Sequence, residues 1–159
     1  MTTFTYSLLL QVRVELDNME VTDSVWTSPA DAIEMHKDKN VWLAPPQIYE
    51  LSRMRNFSQF DKLRAFVHER ESKGCVSWLP LLVKCRNGTL ALYPGDDLYP
   101  ENPDYHGDRE EPLSFSDIDM SDASLSTPNK NRMEQYGPNS CVINCNIVDP
   151  FGHLLPVAF

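Results

Sequence analysis

The sequence predicts an α+β chain on three observations: a period-two apolar run near the N-terminus, helix starts in the middle, and a hairpin signal at Asn87-Gly88. Phe4, Tyr6, Leu8, Leu10, Val12 and Val14 alternate with Thr5, Ser7, Leu9, Gln11 and Arg13, the pattern of a half-buried strand over residues 4–14. Asp17-Asn18 supplies a turn, and residues 19–26 read as a second extended segment. Ser28-Pro29-Ala30-Asp31 then opens a helix, with Ser as the cap, Pro at the first helical position and an acid three residues on. Ala32, Ile33 and Met35 give that helix its apolar side, and it fades in the charged stretch 36–40.

Residues 41–46 are expected to be extended, because a residue before proline is pushed out of the helical region, while Pro46 opens a helix carrying Ile48, Leu51 and Met54 on one face. Ser58-Gln59-Phe60-Asp61 is a capping-box variant, followed by Phe60, Leu63, Phe66 and Val67 at helical spacing and by Gly74 as terminator. Residues 78–85 and 89–93 flank Asn87-Gly88, which predicts a type I′ turn with positive φ at both central positions. Residues 102–135 are rich in Asp, Glu, Ser, Asn and Pro without a sustained period, so an acidic, disordered segment is expected there. Residues 136–159 then form a tail with a single strand near Val142 to Val148.

Composition excludes several classes. Hydrophobic residues make up 42% and charged residues 23%, enough apolar side chain for a core. No apolar run approaches the roughly 20 residues of a membrane span, and no basic n-region precedes an apolar stretch, so neither a span nor a secretory signal is expected. Net charge is −9, and residues 96–122 hold ten acids against one base, Arg109, leaving thirteen of each sign elsewhere. Without clustered Lys and Arg, nucleic-acid binding is not expected.

Candidate chemistry is sparse. Cys75, Cys85, Cys141 and Cys145 form no CxxC pair, and His36, His68, His106 and His153 stand at no metal-ligand spacing, so reduced thiols are expected. Asp117-x-Asp119-x-x-Asp122 fails as a calcium loop, because its sixth and twelfth positions hold Asp122 and Pro128 in place of Gly and Glu. Glu69-Arg70-Glu71 and Arg109-Glu110-Glu111 are too short to hold cations alone, and no P-loop, GxGxxG or GxSxG occurs.

Three stretches are more specific. Val41-Trp42-Leu43-Ala44-Pro45-Pro46-Gln47-Ile48-Tyr49-Glu50, Trp78-Leu79-Pro80 and Tyr93-Pro94-Gly95-Asp96-Asp97-Leu98-Tyr99 resemble the W-L-x-P-P-Q-x-Y-E, W-L-P and P-G-D-x-L-Y stretches of one Nudix hydrolase branch. That branch is the acyl-coenzyme A diphosphatases (nucleoside diphosphate-linked moiety X, motif 19). Val25-Trp26-Thr27-Ser28-Pro29-Ala30-Asp31-Ala32 is similar to the Trp-ended strand and short helix of the same family, and the likeness covers residues 4–101. The resemblance implies a partial Nudix α/β/α sandwich with a mixed sheet over residues 1–101, followed by the acidic low-complexity tail.

For a complete enzyme the resemblance implies hydrolysis of the pyrophosphate of coenzyme A and acyl-coenzyme A. The products are adenosine 3′,5′-bisphosphate and (acyl-)phosphopantetheine, with Mg2+ or Mn2+ as cofactor and the peroxisome or mitochondrion as compartment. The Nudix box G-x5-E-x7-R-E-x2-E-E-x-G that holds those metals does not occur in this sequence. The chain therefore looks like the C-terminal part of such an enzyme, expected to bind no metal and to be inactive alone. Glu20 stands where the family places an auxiliary catalytic acid, with Asp23 as runner-up. Trp42, Gln47 and Tyr49 are candidates for the substrate wall, against a reading in which the prolines set a corner and the aromatics fill the core.

The alternative from another class is a non-catalytic binding or interaction protein that keeps the scaffold. With its upstream partner missing, strand 4–14 is expected to leave an apolar sheet face open to self-association. The terminal Val157-Ala158-Phe159 is not a Ser-Lys-Leu-type address, and without such a signal the cytoplasm is the default location.

Overall fold

Hydrogen bonds close to each residue set most element boundaries in the computed structural model, which describes residues 15–16, 19, 23–74, 78–107, 114–125, 127–148 and 152–158. The strand expected over 4–14, its apolar face, the turn at Asp17-Asn18, Glu20 and Cys75 lie outside the described residues. Helix α1 spans Pro29–Lys37. Ser28 caps it as expected, with Oγ accepting from the Asp31 N–H at 3.1 Å and donating to the Asp31 carboxylate at 2.7 Å. Its core side is Ala32, Ile33 and His36, where the sequence suggested Met35.

Helix α2, Pro45–Met54, starts on both prolines, whose missing N–H groups would be orphans at a helix start in any case. The Gln47 side chain reaches back to accept from the Ala44 N–H at 2.9 Å. Helix α3, Phe60–Arg70, is preceded by Gln59 without a side-chain cap, so Ser58 does not act as one, and the helix buries no residue. A 3-10 turn, Glu71–Lys73, extends it to Gly74, which terminates the run at φ 72°.

The sheet has order β3-β1-β2-β4-β5. Its strands are β1 Leu81–Cys85, β2 Gly88–Leu92, β3 Ser114–Phe115, β4 Asn131–Gly137 and β5 Ser140–Cys145. Pairing is antiparallel apart from β1 with β3, so the sheet is mixed as expected. Helix α4, Met120–Leu125, follows β3. Side chains alternate across the sheet and build two cores. On one face Ala91, Tyr93, Met133 and Ile143 meet Ile48 and Tyr49 of α2. On the other Val83, Cys85, Leu90 and Leu92 meet Met120 and Ala123 of α4. Helices on both faces of one sheet make an α/β/α sandwich. The C-terminal stretch lies along α2, where Val157 N–H donates to the Ser52 carbonyl at 3.1 Å and Arg53 Nε to the Leu154 carbonyl at 2.8 Å.

Two further expectations change. The hairpin is present, but Cys85 faces Gly88, so Arg86 and Asn87 form the turn and Gly88 belongs to β2. Asn87 is not a positive-φ residue, which removes the type I′ assignment. Instead its side chain accepts from the Met120 N–H at 2.8 Å and ties the turn to α4. Gly88 is needed for close approach, because a Cβ there would collide with the Gln135 carbonyl oxygen of β4 and lie 2.5 Å from Met120 Cε.

The second change concerns the tail. Residues 102–135, assigned by composition to a disordered segment, contain β3, α4 and the start of β4, which pairs with β2 on one side and β5 on the other. Asn131, Arg132, Met133 and Glu134 are all buried. Their polar groups find partners both nearby and far along the chain. Arg132 Nε and Nη2 donate to the two Asp96 carboxylate oxygens at 2.6 Å each, with neither side chain exposed. Asp96 also accepts from the Asn131 and Leu98 N–H groups at 2.9 Å, and Arg132 Nη2 donates to Thr127 Oγ1 at 2.9 Å. Glu134 accepts from Asn144 Nδ2 at 2.9 Å and from the Tyr136 hydroxyl at 2.8 Å. A boundary at residue 101 would therefore cut through one core. The strand expected near residue 142 is β5, starting two residues earlier and bonded to β4 rather than standing alone.

Two stability predictions follow from these contacts. Gly88→Val should lower the unfolding free energy by about 1–3 kcal/mol through overpacking against β4 and α4. An unchanged urea midpoint would mean that β2 can move off both. Asp96→Ala should cost about 3–5 kcal/mol by leaving the Arg132 guanidinium buried without its counter-charge. Asp96→Leu combined with Arg132→Met should cost clearly less than that single change; an equal or larger loss in chemical denaturation would contradict this.

Candidate functional site

The W-L-A-P-P-Q stretch forms the corner between α1 and α2. Lys39 enters it with φ 63°, and the Asn40 N–H returns to the Met35 carbonyl at 2.9 Å, so the chain leaves α1 sharply. Trp42 is 59% exposed at the tip. The peptide groups flanking it are nevertheless held. The Leu43 N–H donates to His36 Nδ1 at 3.1 Å, and Asn139 Nδ2, from the turn between β4 and β5, donates to the Val41 carbonyl at 3.3 Å and to the His36 carbonyl at 2.7 Å. The Ala44 N–H is taken by Gln47 Oε1.

The three candidate wall residues therefore separate. Trp42 presents its ring to solvent. Gln47 is half-buried, with its carboxamide oxygen engaged at the helix start, so it shapes the corner from within. Tyr49 is a correction: it is 1% exposed, stacked on Tyr93 at 3.9 Å and 24°, with the edge of Trp78 at 6.0 Å. Its hydroxyl donates to Asn131 Oδ1 at 2.8 Å, and burial pushes its pKa well above the ordinary tyrosine value. A ring so enclosed cannot stack on a ligand, and a phenol so stabilised in its neutral form cannot serve as a base. The alternation that fills the sheet face explains this, since α2 must bury Ile48, Tyr49 and Ser52 together.

His36 is the residue that sequence reasoning missed. The only signal was its place one turn after Ala32 and Ile33 on an amphipathic helix. It is buried, and because Nδ1 accepts an N–H its proton sits on Nε2. Burial lowers its pKa from the ordinary 6.5, with the Val41 backbone acting in the opposite sense.

Acid–base and metal chemistry have less support. Asp23 is exposed and accepts from the Ser24 N–H at 2.7 Å. Among the described residues no group of three or more His, Cys, Asp or Glu could hold a metal ion, so they do not fit a divalent-cation site. Cys85 and Cys141 are free thiols, and Cys145 Sγ donates to Asn131 Oδ1 at 3.4 Å. Burial raises the pKa of Cys85 and of Cys141, opposed at Cys141 by Lys37, which disfavours the reactive thiolate. Among the described residues no helix is long and apolar enough to cross a membrane. What the corner can do chemically is stack: a fixed, exposed indole accepts the face of a flat group.

Comparison with known proteins places both halves of the chain. The family model of the NUDT19 Nudix domain matches residues 2–54, and that of the NUDT19 C-terminal domain matches residues 82–146. The chain is 38% identical over 141 residues to a Gallus gallus protein named acyl-coenzyme A diphosphatase NUDT19, covering 89% of this chain and 37% of that protein. It is 43% identical over 94 residues to the Xenopus laevis protein of that name, covering 59% and 25%. To the Homo sapiens protein of that name it is 39% identical over 89 residues, covering 56% and 24%. The chain thus spans well under half the length of these relatives. No solved structure matches it.

Trp42→Ala should change stability by less than about 1 kcal/mol, because an exposed ring gives up little packing. Tyr49→Ala should cost about 3–5 kcal/mol, the usual loss for a large aromatic removed from a core. Thermal or urea melts of the two variants check the assignment, and equal losses would contradict it.

Proposed function

Because the chain belongs to the acyl-coenzyme A diphosphatase branch of the Nudix hydrolases, we propose that it is part of an enzyme cleaving the pyrophosphate of coenzyme A and its acyl esters. Water attacks one phosphorus of the pyrophosphate, and the products are adenosine 3′,5′-bisphosphate and (acyl-)phosphopantetheine. The observation that carries the reading is the match of two models of one family, in order, along residues 2–54 and 82–146.

In the complete enzyme Mg2+ or Mn2+ supplies charge neutralisation at the phosphate oxygens. The described residues do not fit that role, and the sequence contains no Nudix box, so this chain's contribution lies in holding substrate. Trp42 offers its indole face to the adenine base, and Gln47 keeps the start of α2 closed behind it. Glu20, with Asp23 as runner-up, is the proposed auxiliary acid. Residence in the peroxisome or mitochondrion belongs to the same proposal. Self-association through the apolar sheet face of strand 4–14 also remains a proposal, to be read from the elution volume of the purified chain.

The purified chain should not release phosphopantetheine from coenzyme A with either cation, yet it should bind adenosine 3′,5′-bisphosphate. Base–aromatic stacking contributes about 1–3 kcal/mol, so Trp42→Ala should weaken that binding roughly tenfold in calorimetry. Chelator-sensitive cleavage by the chain alone would overturn the inactive assignment. Binding unaffected by Trp42→Ala would overturn the role of Trp42. A chain that binds neither the bisphosphate nor coenzyme A would favour a non-catalytic interaction protein.

A further inference from the structure

An exposed loop-tip residue is ordinarily left to solvent, but here both peptide groups beside Trp42 are fixed by side chains from other positions. The hold on Leu43 depends on protonation. A ring nitrogen that accepts an N–H carries no proton, so the His36–Leu43 bond exists only while the imidazole is neutral. Protonated Nδ1 would face two donors, the Leu43 N–H and Asn139 Nδ2 at 3.4 Å, and would leave the half-buried amide without an acceptor.

We propose that His36 is a positioning residue whose neutral imidazole latches the Trp42 corner, so that the exposed Trp42 ring is held in place at neutral pH and released in mild acid. The proposal rests on the reading of Trp42 as the stacking platform and adds the regulation of that platform.

The surroundings support a proton-driven release rather than a charge-driven one. On α1 Glu34 and Lys37 pair with each other at 3.0 Å, and Lys37 also lies near the Cys141 thiol of β5. Helix α2 presents Glu50, paired with Arg53 at 2.8 Å, and the β4–β5 turn presents only the neutral Asn139. In the corner itself Asp38 and Lys39 are exposed. Among the described residues no carboxylate offsets a charge on the buried ring; the Val41 backbone favours the charged form, but burial, the larger effect, favours the neutral one. The folded-state pKa lies below 6.5, so the unfolded chain takes up the proton first. The stability contributed by neutral His36 is full above 6.5 and is lost as pH falls through the lower folded-state value.

The test is 19F NMR of chain 1–159 labelled with 5-fluorotryptophan, without ligand, titrated from about pH 7.5 to about pH 5. The Trp42 resonance, assigned by Trp42→Phe, should shift or broaden as pH falls, while that of Trp26 stays in place. In His36→Asn, whose Oδ1 can accept from Leu43 without titrating, the Trp42 resonance should hold still. A Trp42 signal that is unchanged in the wild type, or that titrates equally in His36→Asn, overturns the proposal. Should His36→Asn fail to fold, 15N NMR of the wild-type ring decides. An unprotonated Nδ1 that titrates in step with Trp42 supports the latch, and a protonated Nδ1 at neutral pH or independent titration overturns it. Because no ligand is present, failure here is distinct from failure of the bisphosphate-binding test.

Discussion

The buried pair Asp96–Arg132 is the constraint on which the rest of the structure depends. Two opposite charges with no exposed surface are tolerable only when each is matched in position, and here both carboxylate oxygens are engaged by the guanidinium at 2.6 Å. The remaining capacity is filled by the Asn131 and Leu98 N–H groups and by Thr127 Oγ1. Such a pair contributes less to net stability than its Coulomb attraction suggests, because desolvation offsets much of it. Its effect is on register: displacing β4 by one residue would turn Arg132 to the apolar face against α2 and leave Asp96 alone in the core. Gly95, at φ 93°, lets the turn approach Ile147 closely enough for Asp96 to reach inward.

That register carries through to the candidate site. Once Arg132 is fixed, its neighbour Asn131 faces α2, where Oδ1 accepts from the Tyr49 hydroxyl and Nδ2 donates to the Pro94 carbonyl at 2.8 Å. Met133 then packs with Ile48 and Tyr49, holding the helix that begins at Pro45. Beyond the end of β4, Asn139 reaches the α1–α2 corner and binds the carbonyls on either side of it. A continuous set of bonded groups thus links the P-G-D turn to Trp42. The resemblance shared by the W-L-A-P-P-Q and P-G-D stretches has a physical counterpart here, since the two segments meet through β4.

What the sequence made legible was local. The Ser28 cap, the proline start of α2 (at Pro45, one residue before the expected Pro46) and the two strands about Asn87 depend on neighbours a few residues away. The turn type failed by one residue, because the steric demand at Gly88 comes from Gln135 and Met120, far along the chain. The acidic segment failed for the same reason at larger scale. Composition counts Asp96, Arg132 and Glu134 as solvated charges, whereas their partners lie across the sheet. The aromatic residues of the W-L-A-P-P-Q-I-Y stretch gave no direction, and only packing shows that Tyr49 points inward while Trp42 points out.

The most direct test of this account is amide hydrogen exchange in Asp96→Asn, which keeps the shape of the side chain and removes its charge. If the pair sets the register of β4, protection should fall first at residues 131–135 and then at Leu43, whose N–H depends on the corner that Asn139 braces, while α3 is unchanged. Uniform loss of protection in proportion to global stability, or an unaltered β4 with Leu43 still protected, would contradict it.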